Sequence, residues 1–198
     1  MARPSKFNRD EAVEFVMNEI WRNGYEASSV KALSEKLGIT RSSFYNAFGS
    51  REELFREALV LYFGQSPDKA LATATPGIPV KKLLTSTFRQ ACRTRAADPE
   101  GRGCMAINSV TELCNVHEDL GPLLTKAVLG SISRIEQLLT WAVAQGEIDA
   151  DIDLHAKALA LQNLLIGLNV MCKVVSDEDE LWTTAKTTLA GLDLYEEA

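Results

Sequence analysis

The chain has 198 residues, of which 46% are hydrophobic and 24% charged, and its formal net charge is −6 at pH 7. This composition excludes a largely disordered chain and is typical of a globular protein with one large domain, or with a small domain packed on a larger one. No window of about 18 uninterrupted apolar residues occurs, and no basic-then-apolar leader opens the sequence. The sequence therefore predicts a cytoplasmic protein with no membrane partner.

The cysteines and histidines do not have the spacing of a disulfide framework, a metal site or a catalytic motif. The four cysteines are Cys92, Cys104, Cys114 and Cys172. Because none is paired as CxxC, free thiols in a reducing compartment are expected. Cys114 and His117 have ligand-like chemistry, but two residues do not make a metal site. His117 and His155 match no catalytic motif, so we expect no metal, no cofactor and no enzymatic activity.

Capping signals divide the N-terminal part of the chain into four predicted helices. Asn8 and Glu11 have the spacing of a capping box and open the first helix, which ends at Gly24. Ser50 and Glu53 repeat that spacing and open the fourth helix. Two short helices lie between them, and only residues 38–40 separate these two.

Two helices joined by a short turn that contains glycine are typical of a helix-turn-helix. Gly38 supplies the left-handed conformation that such a turn needs. Apolar residues are predicted to lock the two helices together: Val30, Leu33, Leu37, Ile39, Phe44 and Phe48. The outer face of the second helix then presents Thr40, Arg41, Ser42, Ser43, Tyr45 and Asn46.

The chemistry of that outer face is suited to double-stranded DNA. Arginine can pair with guanine, asparagine with adenine, and hydroxyls with bases or phosphates, so Arg41 and Asn46 are predicted to read the major groove. Tyr45 is expected at the DNA backbone, as are Ser28, Ser29 and Arg51 at helix N-termini. The charge is also uneven, because residues 1–51 carry eight Lys/Arg against six Asp/Glu, whereas the remainder carries thirteen against twenty-one.

The C-terminal part of the chain also has an all-helical pattern. Residues 65–79 contain proline, glycine and threonine and predict a loop at a domain boundary, with an extension of the fourth helix into the first part of this stretch as the alternative. Helices follow at about 80–96, 107–116, 118–145, 153–176 and 178–195. The fold class expected is therefore all-α, with about nine helices.

The helix predicted at 153–176 is apolar nearly all round, so it must be covered on two sides. One seam carries Leu154, Ala158, Leu161, Leu165, Leu168, Cys172 and Val175, and a second face carries Leu159, Ile166, Val170 and Val174. The last predicted helix adds an apolar face with Leu181, Ala185, Leu189 and Leu192. These two helices from each of two subunits would make a four-helix bundle at a twofold axis. The interface predicted for this homodimer is formed by Leu161, Leu165, Leu168, Leu181, Ala185 and Leu189. Packing within one chain is the alternative.

The segment SSVKALSEKLGITRSSFYNAFGSREELFREAL resembles the DNA-binding segment of the TetR/AcrR transcriptional regulators. The matching elements are the hydroxyl-rich start, LSEKLGI, the FYNAF pair of aromatic residues, and SREEL. The resemblance covers about residues 8–60, and a later segment, GRGCMAINSVTEL, is similar to one found in a subset of members. Departures are modest, with Ser34 at a position where alanine is usual and Arg51 where lysine is common.

This resemblance implies the organisation and the function. It implies a three-helix helix-turn-helix domain over residues 1–50 and a larger helical domain for ligand binding and dimerisation over residues 51–198, linked by the helix from 51 to about 65. It further implies a homodimeric regulator, commonly a repressor, that leaves a palindromic operator when a small-molecule effector binds.

Candidate effector-pocket residues are polar or aromatic side chains on otherwise apolar helices. They are Phe88, Cys92, Met105, Asn108, Glu112, Trp141, Asn163 and Asn169. Each has a plain structural alternative, such as a place in the core or a hydrogen bond inside the bundle.

The sequence leaves three alternative hypotheses about function open. Cys104 precedes a helix and follows Arg102, two features that lower a thiol pKa, so it is a candidate sensor of electrophiles or oxidants. An inert, buried cysteine is the other reading of Cys104. A helical adaptor that binds only proteins, and a DNA-binding protein without an effector, are the remaining alternatives.

Overall fold

The computed structural model describes residues 8–197, and helices are the only regular secondary structure within them. The helices are α1 Arg9–Asn23, α2 Val30–Leu37, α3 Arg41–Phe48, α4 Arg51–Gln65, α5 Lys69–Thr73, α6 Val80–Ala96, α7 Met105–Leu113, α8 Leu120–Ala144, α9 Leu154–Met171 and α10 Glu178–Gly191. The predicted all-α class is confirmed. Among these residues no helix combines the length and hydropathy needed to cross a bilayer.

The predicted starts of α1 and α4 are confirmed. The Asn8 side chain accepts hydrogen bonds from the backbone N–H groups of Asp10 and Glu11. Ser50 Oγ accepts one from the backbone N–H of Glu53 at 3.0 Å. These bonds satisfy donors that the first turn of a helix leaves without intrahelical partners.

Helix α5 is the element that sequence reasoning missed, because it lies in the stretch predicted as a loop. It is five residues long and buries one residue, Leu71, which packs into the core. A single turn with one apolar contact shows no helical periodicity, so the pattern could not reveal it.

The buried apolar side chains form two clusters rather than one. The first joins α1–α4 to α7 and the start of α8, and it includes Val16, Phe44, Phe55, Met105 and Leu120. The second joins α5, α6, the later part of α8, α9 and α10. The division predicted between residues 50 and 51 therefore passes through the first cluster.

All six residues predicted at the dimer interface are buried inside their own chain, where they are not free to face a partner subunit. They are Leu161, Leu165, Leu168, Leu181, Ala185 and Leu189, each 6% exposed or less. This seam of α9 and the matching face of α10 pack together with α6 and α8 in the second cluster. The other apolar face of α9 is the one that remains exposed, with Leu159 at 45% and Val170 at 52%.

Candidate nucleic-acid interface and effector cavity

The turn between α2 and α3 has the geometry that the sequence predicted. Gly38 lies in the left-handed region, with φ 65° and ψ 31°. Its N–H donates to the carbonyl of Glu35, and the N–H of Ile39 donates to the carbonyl of Ser34 at 3.0 Å. This pair of bonds is the helix-ending motif that favours glycine, and it turns the chain directly into α3.

Helix α3 has a buried face and an exposed face. Phe44 and Phe48 are 0% and 3% exposed and pack with Leu33 of α2. All six predicted reading residues are exposed: Thr40, Arg41, Ser42, Ser43, Tyr45 and Asn46. Within residues 8–197 no hydrogen bond or ion pair engages the side chains of Arg41, Ser42 or Asn46. These polar groups are thus available to a ligand outside the chain.

The other three residues of this face, Thr40, Ser43 and Tyr45, are partly committed to local structure. Thr40 Oγ1 accepts a hydrogen bond from the Ser43 N–H at 3.1 Å and caps α3. The ring of Tyr45 is 52% exposed and packs edge-on against Phe44, with centroids 5.8 Å apart. The capping bond and the ring contact restrict where these side chains can reach.

Two of the residues expected at phosphates make contacts within the chain. Ser28 is 3% exposed, and its hydroxyl donates to the Gly24 carbonyl at 2.8 Å, so it holds the α1–α2 turn and does not face outwards. The guanidinium of Arg51 stacks on the Tyr25 ring at 3.9 Å and lies 3.3 Å from a Glu26 carboxylate oxygen. Ser29 remains half-exposed as the N-cap of α2.

The predicted effector-pocket residues do not converge on one site. Phe88 and Cys92 lie in the second core cluster with Trp141 at its edge, whereas Met105 lies in the first. Asn108 donates to the Arg102 carbonyl at 2.9 Å, and Asn163 is exposed on the outer face of α9. Their periodicity placed them on apolar helices correctly but could not show that they point in different directions.

Glu112, another of the predicted pocket residues, lies where α7 contacts the turn between α1 and α2. Its carboxylate accepts hydrogen bonds from two successive backbone N–H groups, those of Tyr25 and Glu26, at 2.9 and 2.8 Å. It is therefore bound to the turn between α1 and α2 and lines none of the cavities described below.

Two adjoining cavities lie between α4, α5, α7, α8 and α9. The larger, about 350 Å³, is bordered by the end of α4, by α5 and by the middle of α8. The smaller, about 60 Å³, reaches α7 and α9, and of the predicted pocket residues it contains Asn169. The two share the lining residues Phe63, Asp68, Ala127 and Ser131. A volume near 300 Å³ with mostly apolar walls is the lower end of the range for small-molecule sites.

Polar side chains gather beside the smaller cavity. Arg95, 6% exposed, donates from Nε to Asn169 Oδ1 at 2.6 Å and from Nη2 to the Tyr62 hydroxyl at 3.0 Å. Burial raises the pKa of Tyr62 above its usual range, so its hydroxyl stays neutral. Arg95 follows Phe88 and Cys92 on the apolar face of α6, and this charged residue in an apolar register is the signal that sequence reasoning overlooked.

Cys104 lacks the environment expected of a reactive thiol. Burial raises its pKa, and the side chain is 6% exposed. Arg102, expected to lower that pKa, instead stacks on Trp21 at 4.0 Å and hydrogen-bonds to Asp98 and Asn18. Cys104 does line the smaller cavity. Within the described chain, no three His, Cys, Asp or Glu side chains form a group that could hold a metal ion.

Comparison with known families identifies both parts of the chain. The description "Bacterial regulatory proteins, tetR family" matches residues 17–58, and "Tetracyclin repressor-like, C-terminal domain" matches residues 80–188, more than half of the chain. The chain belongs to the TetR family. Its members are transcriptional regulators that bind DNA through the helix-turn-helix described above.

Individual TetR-family proteins resemble the chain over nearly its full length. The HTH-type transcriptional repressor ComR of Escherichia coli is 28% identical over 188 residues, 94% of this chain and 90% of ComR. A triple cysteine mutant of the TetR regulator CifR, solved with a 26-base-pair operator DNA, has a TM-score of 0.81 and 29% identity, covering 96% of this chain and 98% of that one. Reduced NemR of Escherichia coli, at 16% identity and a TM-score of 0.72 over 93% of this chain and 95% of NemR, shows the fold alone.

Membership of the TetR family decides between a transcriptional regulator and an adaptor that binds only proteins. The chain is a regulator of transcription, so the adaptor that binds only proteins is not supported. The family is one of regulators rather than enzymes.

Proposed function

We propose that the protein is a homodimeric repressor that binds a palindromic operator and releases it when a small molecule occupies the cavity between α5 and α8. The observation that carries the DNA-binding part is the exposed face of α3, where Arg41, Ser42 and Asn46 make no hydrogen bond or ion pair within residues 8–197. In a helix-turn-helix, the N-terminal residues of the second helix face the base edges. CifR, which has the same fold, was solved with operator DNA.

The proposed dimer uses the outer apolar face of α9. Leu159, Val170 and Met171 are 45%, 52% and 37% exposed, and Leu129 on the neighbouring α8 is 58% exposed. An apolar surface of this kind on two packed helices is suited to a twofold partner that brings the same two helices. To read two successive major grooves, such a dimer must hold its two copies of α3 about 34–36 Å apart, one turn of DNA.

The proposed effector site is the pair of adjoining cavities. Apolar residues from α4, α5 and α8 form most of the surface of the larger cavity. Polar and charged groups also line it, from Ser66, Asp68, Lys69, Ser131 and Arg134. The residue proposed from the sequence that remains part of this site is Asn169. A small, mainly apolar molecule with a few hydrogen-bonding groups fits such walls.

Selection of genomic fragments by the purified protein, at low and at physiological salt, tests the proposal. Enrichment of a palindrome with half-sites about one turn apart supports a dimeric operator-binding protein. Binding that is weak, salt-sensitive and without a shared sequence refutes it, since phosphate contacts alone give that behaviour. Release of the selected operator by compounds that also raise the melting temperature of the protein distinguishes a repressor with an effector from one without.

A further inference from the structure

Helix α7 connects the cavity to the turn that begins the helix-turn-helix. Ala106, Ile107 and Val110 of α7 line the smaller cavity. Glu112, two residues after Val110, holds the α1–α2 turn. At 1.5 Å per residue, Ala106 and Glu112 are about 9 Å apart along the axis of α7. A displacement of α7 at the cavity is therefore a displacement of Glu112.

Glu112 makes a close contact with the backbone of the α1–α2 turn. Each of its two carboxylate oxygens accepts one N–H, from Tyr25 at 2.9 Å and from Glu26 at 2.8 Å. A Cβ at Gly24, where φ is +86°, would lie 3.0 Å from the carboxylate. A glycine at this position lets the carboxylate approach the backbone, and charge-assisted bonds of this kind are stronger than neutral ones.

The turn held by Glu112 sets the position of α2. Ser28, inside the turn, donates to the Gly24 carbonyl, and Ser29 caps α2. Tyr25, 0% exposed, packs edge-on against Phe55 of α4 with centroids 5.2 Å apart. Because the turn at Gly38 joins α2 directly to α3 and the two helices pack together, a movement of α2 also moves the reading helix.

We propose that Glu112 is the positioning residue through which occupation of the cavity changes the orientation of α3, an inference that rests on the proposed function. The smaller cavity, about 60 Å³, has room for little more than water. A molecule that extends from the larger cavity into it displaces the walls, of which α7 is one. A displacement of α7 moves the carboxylate that holds Tyr25 and Glu26. Release or tilting of the turn then moves α2 and α3 relative to the rest of the chain.

A double-mutant cycle tests this coupling without knowledge of the effector. Ala127→Trp fills the shared part of the cavities from α8 and acts as a substitute for an occupant. It should weaken binding of the genomically selected operator about tenfold in the wild-type background, within the usual range of coupling between sites. In the Glu112→Ala background the same substitution should change operator binding less than about twofold, because the connection is already broken.

Matched variants separate coupling from loss of stability. Ala144→Trp, at the exposed end of α8, and Glu118→Ala, an exposed acid after α7, should leave operator binding and the effect of Ala127→Trp unchanged. Glu112→Gln should behave as Glu112→Ala, since each carboxylate oxygen of Glu112 accepts one N–H and the amide replaces one of those oxygens with an NH2 group, which cannot accept. Ala127→Phe is the smaller substitution to use if the tryptophan variant does not fold.

Hydrogen exchange of the free protein gives an independent measurement. A peptide that spans residues 24–27 should exchange faster in Glu112→Ala and in Ala127→Trp than in the wild type and in Ala144→Trp. Equal weakening of operator binding by Ala127→Trp in both backgrounds, or unchanged exchange in this peptide, would overturn the proposal. If the wild type selects no operator at all, the proposed function fails as well, and that outcome is visible before any variant is made.

Discussion

At the residue level, the two sides of α3 have separate tasks. Phe44 and Phe48 fix the helix to α2, and the exposed polar residues are left to contact DNA. Arg41 is the residue best suited to read a base, since it lies in the first turn of α3 and its guanidinium can form two bonds with guanine. Tyr45, held against Phe44, is better suited to the DNA backbone.

We expect Arg41→Ala to relax the sequence preference of the protein. If Arg41 pairs with a base, its loss costs about 1–3 kcal/mol on the selected operator and less on random DNA. Tyr45→Phe is the comparison, because removal of a phosphate contact weakens both DNAs by the same factor. Titrations of the selected operator and a scrambled duplex at one salt concentration measure the difference. Equal losses on both duplexes for Arg41→Ala would contradict base reading.

The Cys104 thiol should be slow to react. Burial raises its pKa above the ordinary value of about 8.5, so at pH 7.5 the thiolate, which is the nucleophile, is scarcer than for an exposed cysteine. Alkylation with iodoacetamide, followed by mass spectrometry, should label the half-buried Cys114 first. In urea the two should react at similar rates. Labelling of Cys104 ahead of Cys114 in the folded protein would restore the sensor hypothesis.

At the level of single helices, the sequence predicted where helices lie along the chain better than which face of each helix is buried. Periodicity and caps located α1–α4 closely, because Asn8, Ser50 and Gly38 are strong local signals. For α9 the pattern showed two apolar faces without showing which one lies inside. That choice depends on α6, α8 and α10, which come from distant parts of the sequence. The cavity was missed for the same reason, since its walls come from five helices.

The buried seam of α9 should be sensitive to truncation. Leu161 is 0% exposed in the second cluster, so Leu161→Ala should lower the free energy of unfolding by about 2–5 kcal/mol. Val174, 86% exposed, provides the control, and Val174→Ala should change stability by about 0.5 kcal/mol or less. Urea unfolding at a single protein concentration measures both. Similar values for the two variants would show that the seam is not part of the core.

At the level of the whole molecule, the exposed face of α9 should control the oligomeric state. Val170→Asp places a charge on the proposed twofold surface and should give monomers in sedimentation, with weaker operator binding as a result. Thr187→Asp, on the exposed side of α10, should remain dimeric. A stable dimer of the Val170→Asp variant would mean that another surface joins the subunits.

The two-cluster core also limits how regulators of this kind can be recombined. Met105 and Leu120 lie in one cluster with Val16, Phe44 and Phe55, so a cut after residue 50 removes part of the interior that supports the first three helices. A hybrid sensor, made by joining this DNA specificity to a foreign input domain, should therefore keep α4, α7 and the start of α8 with the parent. Exchange of the second cluster alone would change what such a hybrid detects and leave the support of its DNA-binding part intact.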